Sequence, residues 1–194
     1  RTNALRSLDL STRRKDPADI PTEPDLTGPL SVISGMKDPH QKAPLKTILI
    51  GLGNPFLGDD GLGWRVIQEL EKMGISSPAL EMDCLASGGL DLMERMRGYD
   101  KAIIVDAIHT TSGNPGRVVK LTLPDVPQGE ASSHGASLRH ALEVGRLMGI
   151  PLPENILILG MEVLPSWELS DRLSQAVERN LPELIQLVIK EITP

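Results

Sequence analysis

The sequence predicts an α/β protein: a three-layer sandwich with a mostly parallel twisted sheet of about five strands, helices on both faces and one antiparallel edge strand. Three observations carry this. From Thr47 onward, short apolar runs alternate with stretches of helical period, the pattern of a parallel sheet covered on both sides. The runs Ile48–Leu52 and Ala102–Val105 are continuously apolar, as central parallel strands are. Arg117–Leu123 instead alternates apolar and polar residues, as an edge strand with one wet face does.

Taken in order, the first strand is expected over 47–52. Gly51, Gly53, Pro55 and Gly58 break the pattern after it, and the acids Asp59 and Asp60 follow. A helix is expected over 60–73, with Leu62, Val66, Leu70 and Met73 on one face and a glycine stop at Gly74. Leu80–Cys84 reads as the second strand and Leu90–Met96 as a short helix. The Ala102 strand is expected to end at Asp106, leaving His109 in a turn. After the edge strand, Ser132-Ser133 is suited to cap a helix over 134–148. Ile156–Met161 is a further strand, ending near Glu162. A last helix is expected over 170–191, with Ser170 as its cap and Pro182 kinking or restarting it.

Residues 1–45 differ in kind. They carry Pro17, Pro21, Pro24, Pro29, Pro39 and Pro44, scattered charges and no sustained apolar period. A flexible tail is the expectation there, and a single α/β domain over 46–194. The 194 residues carry a formal charge of −6, which disfavours a nucleic-acid partner. No apolar run approaches the roughly 18 residues of a membrane span. A lone cysteine, Cys84, excludes an internal disulfide and suits a reducing cytoplasm.

The strand–glycine turn–helix at 47–73 invites comparison with a dinucleotide cradle. Gly51 and Gly53 fit its spacing, but Phe56 stands where the third glycine belongs. Asp59 and Asp60 also occupy the helix start where a pyrophosphate would sit. Two like charges ~4 Å apart cost on the order of 1–4 kcal/mol at dielectrics between water and protein surface. A cation is the better guest.

The two most apolar strands are expected side by side at the sheet centre, with chain order diverging between them. Their carboxyl ends would form the switch-point crevice and place Asp60 and Asp106 on one rim. His134, at the start of a helix after a polar loop, is the candidate imidazole. Two carboxylates and one imidazole suit nickel, zinc, manganese or iron, with positions left open for water or substrate. Each residue has a plainer role available. Asp59, more than Asp60, reads as a helix cap, Asp106 as a turn starter, and His134 as a surface residue. His109 and His140 are weaker candidates. Glu162 suits either support of the site or pairing with Arg65 or Arg139. Asp83 falls where a ribose-binding acid would lie in a nucleotide-binding oxidoreductase, the rival reading.

Four islands in order now carry a resemblance: Gly51–Gly63 (Gly-Leu-Gly-Asn-Pro-Phe-Leu-Gly-Asp-Asp-Gly-Leu-Gly), Ile103–Ile108 with Pro115-Gly116, Ser132–Leu138, and Ile158–Glu162. Over 47–192 the chain resembles the hydrogenase maturation proteases, endopeptidases that trim the large subunit of nickel–iron hydrogenases. The resemblance implies that Asp60, Asp106 and His134 are the metal ligands and the catalytic residues. It implies that the metal is nickel, carried in by the large-subunit precursor, with no organic cofactor. It further implies that a carboxyl-terminal peptide is removed only from a nickel-loaded precursor. A non-catalytic checkpoint chaperone binding the same precursor is the remaining alternative.

Overall fold

The computed structural model describes residues 44–110, 113–125, 135–166 and 168–193. The expected tail over 1–45 lies outside them except for its last two residues, and so does His134. The described elements are β1 (Thr47–Leu52), a 3-10 turn (Gly58–Gly61), α1 (Leu62–Lys72), β2 (Leu80–Leu85), α2 (Leu90–Arg95), β3 (Lys101–His109), β4 (Val118–Thr122), a second 3-10 turn (Leu123–Asp125), α3 (Gly135–Leu147), β5 (Asn155–Val163) and α4 (Gln175–Ile192). Among the described residues the five strands form one sheet in the order β2-β1-β3-β5-β4. All neighbours are parallel except β4, which runs antiparallel to β5 at the edge. The expected architecture is therefore present, including the central β1–β3 pair.

Alternation along the strands divides the interior into two layers. Leu49, Ile103, Val105, Leu159 and Met161 pack with Leu62, Val66 and Leu70 of α1 and Val177, Leu184 and Val188 of α4. Ile48, Ile50, Ala102, Ile104 and Ile156 pack with Leu92 and Met93 of α2 and Leu138 and Leu142 of α3. Each fully buried aliphatic side chain contributes roughly 1.5–3 kcal/mol relative to exposure. A core so assembled needs few aromatic residues, and the sequence has few. No helix among the described residues is long and apolar enough to cross a membrane.

Three expectations are corrected. β3 continues past Asp106 to His109, because Ala107 and Ile108 extend the ladder opposite Met161 and Glu162 of β5. Asp106 is thus an interior strand residue rather than a turn starter, and His109 closes a strand rather than lying in a turn. α4 starts at Gln175, capped by Ser174, whose Oγ accepts the Val177 N–H; Ser170 is outside it. α4 runs as one helix through Pro182, so the chain does not restart there. Proline deprives the Glu178 carbonyl of its helical donor, but both residues are exposed to solvent. The buried stripe Val177, Leu181, Leu184, Ile185 and Val188 anchors the helix on both sides of the proline.

Candidate active site

The floor of the site is backbone packed on backbone. A Cβ built on Gly63 would lie 2.4 Å from the Leu52 nitrogen and 2.5 Å from the Val105 oxygen. One on Gly51 would lie 2.4 Å from the Gly63 oxygen. α1 therefore begins directly on β1 and β3, an approach open only to glycine. Gly53, at φ 119°, brings the turn against Asp60: its Cβ would meet the Asp60 carbonyl oxygen at 1.9 Å. These glycines serve close packing and turn geometry, which leaves the dinucleotide comparison without its main support.

Asp60 lies in the 3-10 turn that follows β1. Its Oδ2 accepts the Asn54 N–H at 2.7 Å, and the Asn54 side chain in turn accepts the Phe56 N–H at 3.0 Å. The turn thus closes on its own carboxylate. Asp59 faces elsewhere. Its Oδ1 accepts the Ser174 N–H at 2.6 Å, at the start of α4. Asp59 therefore serves a helix terminus, but that of α4 and not of the helix following it in sequence; neither the 3-10 turn nor α1 has a side-chain cap.

Asp106 comes from the centre of the sheet, opposite Gly160 in the β3–β5 ladder. It is 4% exposed, and its Oδ1 has no hydrogen-bond partner among the described residues. Burial, followed by the nearby charge of Asp60, pushes its pKa up to about 7; the Ala107 N–H and His109 oppose this. Burial and the neighbouring Asp60 charge both disfavour the ionised form of Asp106, a condition that a cation would relieve. By strand alternation Asp106 shares the sheet face of Ile104, against which α3 packs. His134 immediately precedes α3 in the sequence.

The structure also brings in a residue that sequence reasoning ranked low. His109 Nε2 lies 3.8 Å from Asp60 Oδ1. The interaction with Asp60 raises the imidazole pKa above its ordinary value, against the opposing effect of burial, with Asp106 and Asp59 adding smaller pulls. The signal was in the sequence: Ala107-Ile108 prolongs the apolar run and carries the strand to the rim. Among the described residues, no three His, Cys, Asp or Glu side chains are arranged to hold a metal ion. Asp60 and Asp106 are brought to one rim, and the third expected ligand lies outside the described residues.

The other candidates have structural roles. Asp83 is paired with Arg95 and accepts the Cys84 N–H at 2.8 Å, so the acid of the oxidoreductase reading is engaged in an ion pair. Burial pushes the Cys84 thiol up to about 11, leaving it a poor nucleophile. Glu162 lies inside β5, pairs with Arg117, and accepts the Asn114 N–H at 2.7 Å. Arg65 instead meets Glu69 and Glu178, and Arg139 donates to the Leu123 carbonyl. Glu162 thus ties down the turn beyond β3, a supporting role at the same rim.

Comparison with known proteins gives a consistent picture. The hydrogenase maturation protease family model matches residues 64–191. The chain is 28% identical over 120 residues to the hydrogenase 2 maturation protease of Escherichia coli, covering 60% of this chain and 73% of that one. It is 28% identical over 153 residues to a Methanocaldococcus jannaschii protein provisionally named as a hydrogenase maturation protease, covering 75% and 95%. Among solved structures, the E. coli hydrogenase maturating endopeptidase HybD superposes with a TM-score of 0.66 at 25% identity, over 76% of this chain and 92% of that one. The Thermococcus kodakarensis protease HycI superposes at 0.58 with 23% identity, over 77% and 94%, a likeness of fold.

Proposed function

The chain belongs to the hydrogenase maturation protease family, a family of peptidases, and from that premise we propose that it cleaves the carboxyl-terminal peptide from the nickel-loaded large-subunit precursor of a nickel–iron hydrogenase. The substrate's own nickel is the recognition element, gripped by Asp60, Asp106 and His134. The observation that carries the proposal is Asp106: a buried carboxylate with an unpartnered oxygen, beside a second carboxylate, at the sheet's switch point. Burial disfavours the charged form of Asp106, and a divalent ion arriving with a client would favour it.

A client metal held this way would fix the scissile peptide beside it. Orientation of the reacting groups then supplies a large share of the rate. The metal would polarise the carbonyl or activate water. A carboxylate titrating near neutrality is suited to exchange a proton with the reacting groups, which Asp106 satisfies. The net charge of −6 favours a cation-bearing client over nucleic acid, and a cytoplasmic site of action accords with the single unpaired cysteine.

The test is mass spectrometry of a large-subunit precursor after exposure to this protein, with and without nickel loading. Loss of the terminal peptide from the loaded form alone is expected. An uncleaved loaded precursor would overturn the reading, and equal cleavage of both forms would remove nickel from it. His134→Ala is expected to abolish cleavage of loaded precursor.

A further inference from the structure

Two rim loops, far apart in sequence, are sewn together beside Asp60. The Gly58 N–H donates to the Ser170 carbonyl at 2.8 Å, and the Ser170 N–H donates to the Phe56 carbonyl at 3.0 Å. Leu57 and Ser170 form an isolated parallel bridge. The Asp59 carboxylate adds a third stitch by accepting the Ser174 N–H at 2.6 Å. The same short segment carries Asp60, whose Oδ2 is fixed by Asn54 and whose backbone rests on Gly53. The turn is thus held from below by glycine packing, from within by Asn54, and from the side by the approach to α4.

From this geometry we infer that Asp59 is a positioning residue: by holding the Ser174 N–H it locks the 3-10 turn in the orientation that presents the Asp60 carboxylate to the client. Asp59 contributes no ligand. Its carboxylate binds the start of α4, where an anion also meets the positive helix end. The stitch is the one among the three that comes from a side chain, so it is the one a substitution removes cleanly. The inference rests on the proteolytic reading above, because its effect passes through Asp60.

The hydrogen bond has two independent handles. Asp59→Asn keeps an acceptor oxygen, whereas Asp59→Ala removes it. On the other side, Ser174 has φ −62°, a value proline adopts, so Ser174→Pro deletes the donor N–H without forcing that torsion. Ser174→Ala keeps the N–H and controls for the lost side-chain cap of α4.

The experiment compares kcat/KM on nickel-loaded precursor, alongside Tm, for these full-length variants. Asp59→Ala and Ser174→Pro are each expected to lower kcat/KM about tenfold, in the range that outer-shell partners of ligands command. Asp59→Asn is expected to restore activity to within about twofold, and Ser174→Ala to stay near wild type. Asp59→Ala combined with Ser174→Pro should be no worse than the poorer single variant, since both remove one bond. Wild-type activity in Asp59→Ala, equal damage in Asp59→Asn and Asp59→Ala, or additive losses in the double variant would each overturn the inference. A wild-type protein that leaves loaded precursor intact would instead overturn the proteolytic reading, so the two failures are distinguishable.

Discussion

His109 Nε2, at the end of β3, lies 3.8 Å from Asp60 Oδ1, in the 3-10 turn after β1. That distance exceeds a direct hydrogen bond, yet the charge relationship is strong enough to raise the imidazole pKa. Three acids, Asp59, Asp60 and Asp106, pull in the same direction. A group whose pKa is higher folded than unfolded adds stability that is full below the unfolded value, near 6.5, and is lost as pH rises through the folded value. His109→Gln is therefore expected to lower Tm more at pH 6 than at pH 9. The direct check is an NMR titration of His109: above 6.5 in the wild type, lower in Asp60→Asn. An unchanged titration in that variant would dissolve the pairing.

Asp106 gives the same sign for a different reason: burial disfavours its charged form. Its folded pKa, about 7, stands above the ordinary 3.8, so the native state holds a proton that the unfolded chain has released. Stability contributed by this group is expected to fall as pH rises from about 4 to 7 and then to level off. The gap corresponds to roughly 4 kcal/mol as an upper bound. Asp106→Asn should flatten that fall in urea unfolding and stabilise the protein by on the order of 1–3 kcal/mol at pH 8. It should also reduce cleavage of loaded precursor at least about a hundredfold, beyond the usual effect of an outer-shell partner. A variant that is both active and unaltered in its pH profile would contradict both halves.

Glu162 offers a test that needs no substrate. Its carboxylate accepts the Asn114 N–H and pairs with Arg117, and its Oε2 would lie 2.2 Å from a Cβ on Gly113. Gly113 and Asn114, beyond β3, thus lie against one side chain. In Glu162→Leu the Asn114 amide is expected to exchange with solvent at least about tenfold faster, with the β3 and β5 core amides unchanged. Uniformly faster exchange would mean that Glu162 supports the sheet and not the turn.

The fold was legible because its signals are local. Continuous apolar runs marked β1 and β3, and alternation marked β4 as the edge. Asp60 and Asp106 were legible as a pair because strand order diverges between their strands, a consequence of topology alone. What failed to show locally was decided by distant partners. Ser174, not Ser170, caps α4, and Asp59 reaches it from more than a hundred positions away. His109 looked like a turn residue because Asp106 suggested a strand end, whereas pairing with Met161 and Glu162 carries β3 onward. Pro182 reads as a breaker until the buried stripe around it is known.

Gly63 and Gly74 separate the two reasons for a glycine. A Cβ on Gly63 would meet backbone atoms of Leu52 and Val105 at 2.4 and 2.5 Å, with no side chain able to swing aside. Gly74 ends α1 at φ 71° with nothing within 4 Å of the added carbon. Gly74→Ala therefore meets only the left-handed torsion and is expected to cost about 1–2 kcal/mol. Gly63→Ala must push α1 off β1 and β3, at an expected cost of about 3 kcal/mol or more. Because the displaced turn carries Asp60, cleavage should fall with it, while Gly74→Ala should leave cleavage intact. Urea midpoints of the two variants decide the order. A Gly63→Ala protein more stable than Gly74→Ala would mean that the glycine-rich turn is not there for close packing, and a ligand cradle would again be the better explanation of that stretch.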